Sequence, residues 1–375
     1  MVVSIIGRLA AFAAGACIVV WVVRAAIWTV VVPRPEQVWL TRVLFVATRR
    51  PFEWFARRVT VVARRATTVT RREAIRARYG PTTLMLMPVA WVLGVWVGFV
   101  PIYWALGADP IGEEFILSGS SVTTLGFSRP NEGPPLAAAV IQAVIGLGLV
   151  ALLISFLPTI YSHFSRRERL VAKLSSRAGT PPTPAEMFIR HHRLERLDQL
   201  DDIWPDWEDW FIEIEESHTT YPALVHFRSI DDHRSWLTGA GALLDAASLR
   251  ASTIDIARQP RCELTIRSGY LALRAIADFF GVEHERRPQP TDPISIHRAE
   301  FDGVYEQLRA AGVPLKPDRD QCWRDFAGWR VNYDRVLLEL CALVQPPPAL
   351  WSSDRMADLP RSNRFRRSST SRGTP

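Results

Sequence analysis

Between Ser118 and Ser128 the chain reads Ser-Gly-Ser-Ser-Val-Thr-Thr-Leu-Gly-Phe-Ser, a polar run without a single charge. Its side chains offer hydroxyl oxygens, and its glycines let the backbone come close to whatever it faces. Hydroxyl and carbonyl oxygens are hard, neutral donors, suited to replacing the water around an alkali cation. No softer or more reactive chemistry stands beside them. Cys17, Cys262, Cys322 and Cys341 are scattered with no paired spacing, and the eight histidines form no HExxH-like pattern, so neither a disulfide framework nor a zinc site is implied. Gly239-Ala-Gly241 lacks a third glycine and a strand before it, which excludes a dinucleotide loop. With no nucleophile motif or phosphate loop either, the residues point away from an enzyme and call for no cofactor.

The polar run must be held by its flanks, and these are apolar. Thr82–Leu106 and Pro134–Phe164 contain no charged residue, and each exceeds the roughly 20 residues a helix needs to cross a bilayer. A third apolar segment, Ile5–Val32, carries Arg8 and Arg24; it is too long for a signal peptide and lacks a small-residue cleavage site. Residues 1–33 are therefore expected to be an N-terminal anchor helix. The balance of the 375 residues, 48% of which are hydrophobic, leaves room for a further soluble unit.

Arginine asymmetry gives an orientation. Between Arg34 and Arg78 there are 12 Arg against three acids, so this stretch carries +9 while the whole chain carries +7. The loop between the second and third spans instead holds Asp109, Glu113, Glu114 and Glu132 against Arg129. Arg166, Arg167, Arg169 and Lys173 follow the third span. By the positive-inside rule the 34–81 linker and the C-terminus are cytoplasmic, and the N-terminus and the 107–133 loop lie outside. The Arg pairs at 49–50, 57–58, 64–65 and 71–72 recur at close to two helical turns, with Phe52, Trp54 and Phe55 between them. Such a stripe suits an amphipathic helix on anionic lipid, although topology alone also accumulates Arg in short inner loops. Lysine occurs only at 173 and 316, a bias expected of a high-GC genome.

The outer loop has its own grammar. Asp109-Pro110 reads as N-cap and first helical residue, with Glu113 and Glu114 in the first turn, where the helix dipole favours acids. A short helix is expected to run inward to about Thr123, and the next residues to return extended, offering carbonyl oxygens to an ion. Here the chain resembles the two-helix, one-pore-loop module of potassium channels. The family pattern is Thr-Thr-Val-Gly-Tyr-Gly-Asp; this chain has Thr123-Thr124-Leu125-Gly126-Phe127-Ser128-Arg129. The likeness spans about 82–164. It implies an outer helix at 82–106, a re-entrant pore loop at 109–130 and a pore-lining inner helix at 134–164. It also implies a selectivity filter of Thr124, Leu125, Gly126, Phe127 and Ser128, with Thr124 giving its carbonyl and hydroxyl to the innermost site. Arg129, Glu132 and Asp109 would form the outer mouth. Two positions depart from the pattern, Ser128 for the second filter glycine and Arg129 for the acid after it. The resemblance further implies a homotetramer, since one loop cannot surround an ion, and a permeant monovalent cation, potassium by the family's habit. On the inner helix Gly146, Gly148 and Pro158 are candidate gating hinges, and Gln142 is expected to face the cavity.

Beyond the third span, 165–182 reads as a connector. Thr183-Pro184-Ala185-Glu186 is a capping box with Pro at the first helical position. Further helices are expected near 233–255, 262–280, 292–311 and 319–344, with Gly281 and Gly312 as stops and Asp292-Pro293 as a start. Residues 183–345 thus form an all-α cytoplasmic bundle with Trp204, Trp207 and Trp210 in its core. Nine acids between Asp198 and Glu216, with no Lys or Arg among them, read as a solvated face. Residues 346–375, rich in Pro, Ser and Arg, read as a disordered tail with no specific nucleic-acid role.

Taken together, the sequence reads as an all-α membrane protein: three transmembrane helices with a re-entrant pore loop between the second and third, plus an all-α cytoplasmic bundle. The expected function is a potassium-channel-like cation channel of a bacterial plasma membrane, multi-pass, with the N-terminus outside. The alternative is a non-conducting membrane-anchored scaffold or sensor that retains a degenerate pore loop. Expected partners are the lipid bilayer, anionic lipids through 34–81, and other copies of the chain.

Overall fold

The computed structural model describes residues 2–30, 67–107, 112–130, 132–258 and 260–355, with 2–4, 67–77 and 79 described by their backbone alone. Most of the expected basic linker, Asp109-Pro110 and residues 356–375 lie outside the described residues. The described chain is helical, and among those residues β-type pairing is confined to an isolated antiparallel bridge, Ile254–Leu315. It divides into two units: Met1–Phe164 with Thr220–Phe227, and Ser165–Thr219 with Arg228–Pro375.

The first unit contains α1 (Val2–Val30), α2 (Thr67–Leu106), α3 (Glu113–Val122) and the first part of α4 (Pro134–Ala178). Among the described residues three segments are long and apolar enough to cross a membrane: Ile5–Val30, Gly80–Leu106 and Pro134–Ala178. α1 and α2 pack antiparallel, because contacts that climb one helix descend the other. A Cβ on Gly15 would lie 2.5 Å from the Gly98 carbonyl, and one on Gly94 would lie 2.7 Å from Val22. Small residues at such crossings let helix backbones approach where lipid tails give no hydrophobic drive for association. One buried cluster joins four helices, with Val22 and Ala26 of α1, Trp91 and Val95 of α2, Leu117 and Val122 of α3, and Ala138 and Leu149 of α4.

α2 starts at Thr67, fifteen residues before the expected outer helix, and carries Pro81, Pro88 and Pro101 inside it. The charges of 71–78 mark where apolar sequence stops, and an α-helix need not stop there. A second cluster brings Leu84 of α2 and Phe156 and Ile160 of α4 against Ala223 and Leu224 of a 3₁₀ turn, Pro222–His226. Tyr221 lies 5.9 Å from Phe156 and 5.4 Å from His163, ring centre to ring centre. Residues 220–227 thus group with the apolar unit although they fall within the expected 183–345 bundle.

The second unit begins within α4, which stays helical through Ala178, so most of the expected 165–182 connector is helix. It continues with α5 (Pro184–Arg193), α6 (Trp204–Thr220), α7 (Trp236–Ser252), α8 (Pro260–Phe279), α9 (Arg298–Ala310), α10 (Arg319–Arg330) and α11 (Asp334–Val344). Thr183 caps α5, its hydroxyl accepting from the Glu186 N–H at 3.3 Å. α7 is buried almost all round, as expected of a helix at the centre of a unit. Trp204, Trp207 and Trp210 lie in the core. Gly281 and Gly312 end α8 and α9 with φ of 64° and 80°. Three expectations are corrected. Asp292 makes a local turn with Gln289, and α9 starts later, at Arg298. The expected 319–344 helix breaks at Tyr333, whose φ of −126° and ψ of −8° are not helical. The expected tail is ordered through Arg355, with Trp351 fully buried against Phe326 at 5.6 Å. The average composition after Pro346 hides that one large apolar anchor.

Candidate functional site

The site is built around α3. Gly112, with φ of 116°, is its N-cap, and Glu114 Oε2 accepts from the Gly112 N–H at 2.9 Å. Glu114 therefore folds back to satisfy a backbone N–H at the start of the helix. Its other oxygen, Oε1, is buried without a hydrogen-bond partner among the described residues.

Four neutral groups then fix the helix between the spans. The Tyr103 hydroxyl on α2 donates to Gln142 Oε1 on α4 at 2.8 Å. Gln142 Nε2 donates to Ser118 Oγ at 2.8 Å and to the Ser118 carbonyl at 3.1 Å. Ser118 Oγ in turn donates to the Trp96 carbonyl on α2 at 2.7 Å. Each donor in this chain has an acceptor, which a buried polar group in an apolar unit requires. Gln142 is fully buried in it and does not face a cavity. Beside the chain, Trp96 Nε1 donates to the Phe115 carbonyl at 2.8 Å, and the two rings stack 4.7 Å apart. Gly146 meets the C-terminal end of α3 so closely that a Cβ there would lie 2.2 Å from the Val122 carbonyl. Gly148 has open space around it, and Pro158 sits inside the continuous α4.

The segment after α3 does not run extended. The Leu125 N–H bonds the Ser120 carbonyl at 3.1 Å and the Thr124 N–H bonds the Ser121 carbonyl at 3.0 Å. This is a Schellman closure, and it places Thr124 at the left-handed position with φ of 57°. Gly126 follows with φ of 70°. A β-branched residue at positive φ costs roughly 1–2 kcal/mol. The loop is then pinned from behind, since Ser120 Oγ donates to the Ser128 carbonyl at 3.0 Å and accepts from the Ser128 N–H at 3.0 Å. Leu125 and Phe127 project from it, 70% and 67% exposed in the single chain. Arg129 and Glu132 are exposed and form no ion pair with each other. The expected filter residues 124–128 thus lie together in one pinned loop at the end of α3, and the hinge candidates are distributed along α4.

Sequence reasoning missed Tyr103, Trp96, Ser118 and Ser120 as positioning residues. A tyrosine inside an apolar span is a usable signal, because a buried phenol hydroxyl needs a partner. Among the described residues no three His, Cys, Asp or Glu side chains group as a metal site. Comparison with protein-family models, with curated proteins and with solved structures found no match.

Proposed function

We propose that this chain is one subunit of a potassium-channel-like cation channel in a cell membrane, with residues 109–130 as a re-entrant pore loop and 124–128 as a divergent filter. One observation carries the reading. A ten-residue helix, α3, is bonded by neutral side chains to two apolar helices and ends in a short polar loop whose apolar side chains are uncovered. A helix C-terminus directs negative partial charge toward what lies beyond it, which favours a cation there. Four copies would surround one axis and bring four such loops together, covering Leu125 and Phe127. Ions would then pass along carbonyl and hydroxyl oxygens, while the second unit would serve assembly or regulation on the inner side.

Potassium flux into liposomes containing the purified chain tests this. Flux is expected for the wild type and should vanish in Gly126→Asp, which adds a Cβ and a charge where φ is positive. Absence of flux together with indifference to Gly126→Asp would sink the idea.

A second reading has a specific observation behind it. The Schellman closure and the Ser120–Ser128 clamp occupy backbone groups of the loop within one chain, and Arg129 adds a positive charge beside it. These favour a non-conducting membrane anchor or sensor with a degenerate loop. A monomer or dimer by native mass spectrometry, with no flux, would select it.

A further inference from the structure

A groove of about 560 Å³ in the second unit lies where α4 and α5 both end. That volume is in the range of small-molecule sites. Its positive side chains are Lys173 and Arg177 of α4, Arg190 and Arg193 of α5, and Arg196 just beyond; the acids lining it are Asp202 and Asp206.

The pairing within the groove is uneven. Lys173 is matched by Asp206 at 2.5 Å, and Arg190 by Glu186 at 2.7 Å. Arg193 and Arg196 are exposed and have no carboxylate partner among the described residues. Arg177 Nη1 is a buried atom with no hydrogen-bond partner there. Three arginines without a carboxylate partner among the described residues therefore line the space, against the single remaining lining carboxylate, Asp202. The carbonyl ends of α4 and α5 account for about one negative charge between them, so the excess survives. His191 adds no cation near neutral pH, because burial lowers its pKa and outweighs its bond to the Met187 carbonyl. Guanidinium groups bind phosphate oxygens in bidentate fashion, and a desolvated guanidinium N–H without an acceptor is a place where such an oxygen gains most.

We infer that this groove binds a phosphate-bearing anion through Arg177, Arg193 and Arg196. The site would exist whether or not the chain conducts ions. The phosphate could belong to a soluble metabolite or to a lipid headgroup; the chemistry is shared.

The test is equilibrium dialysis of the full-length chain in neutral detergent against labelled inorganic pyrophosphate, and separately against a short-chain phosphatidylglycerol. Arg193→Gln with Arg196→Gln removes two exposed charges and should leave the melting profile unchanged. Arg258→Gln with Arg286→Gln removes the same charge elsewhere on the unit and is the control. Binding of at least one probe, weakened about tenfold or more in the groove variant and not in the control, supports the site, since two charge-assisted contacts are lost. The probe that binds identifies the source, pyrophosphate a soluble phosphate and phosphatidylglycerol a headgroup. Equal weakening in both variants, no weakening in either, or no binding of either probe overturns the proposal.

Discussion

Two buried polar clusters hold the two units, and they are built from different chemistry. In the apolar unit, Tyr103, Gln142, Ser118 and the Trp96 carbonyl form a chain of neutral hydrogen bonds. In the second unit, Arg330 donates to Asp245 at 2.5 Å, to Asp334 at 2.8 Å and to the Trp351 carbonyl at 2.6 Å, while the Tyr333 hydroxyl donates to Asp245 at 2.8 Å. Burial alone would lower the Arg330 pKa; the charges of Asp245 and Asp334 outweigh it and raise it, keeping the guanidinium charged. Burial raises the Asp245 carboxyl, and Arg330 opposes that rise. The neutral chain costs little desolvation but gives direction, since each donor is aimed at one partner residue. The ionic cluster is worth less than its geometry suggests while intact and very costly to break by half.

That contrast can be broken at its strong end first. Arg330→Met leaves the Asp245 and Asp334 carboxylates buried without a counter-charge, and should cost about 3–5 kcal/mol, read as loss of the cooperative melting of the second unit. In the apolar unit the most damaging small change is Gly146→Ala. Its Cβ would press on the Val122 carbonyl, and overpacking of about 1–3 kcal/mol should lower the melting point and displace α3 from α4. Gln142→Leu keeps the volume but takes the acceptor from the buried Tyr103 hydroxyl and one donor from Ser118, for about 1–3 kcal/mol; a cost no larger than that of an exposed substitution would show the neutral chain to be ornamental. The smallest effect concerns helix ends. α8 and α9 close with Gly281 and Gly312, whereas α3 closes in the same way with Thr124. Thr124→Gly should therefore stabilise by about 1 kcal/mol while impairing any function that uses the threonine hydroxyl. Stabilisation without functional loss would mean that the strain at Thr124 serves nothing.

Much of this was legible in the sequence, for physical reasons. The three apolar helices follow from length and charge alone. Gly281 and Gly312 announced two helix ends because only glycine takes that conformation without strain, and Thr183 announced a beginning through its hydroxyl. The position of α3 was anticipated, but the return of the Glu114 carboxylate to the Gly112 N–H was not. Gln142 was misplaced because one polar residue on an apolar helix says nothing about which neighbour it meets. Residues 220–227 and Trp351 were misassigned for a related reason. Their partners, Phe156 and Phe326, are distant in sequence, and no periodicity reports a long-range contact.

Conduction by the purified full-length chain can be read in a planar-bilayer recording under opposed potassium and sodium gradients. A cation channel of the proposed kind gives discrete currents with a reversal potential on the potassium side of zero, lost in Gly126→Asp. A silent bilayer, or currents unchanged by that substitution, would contradict the proposal.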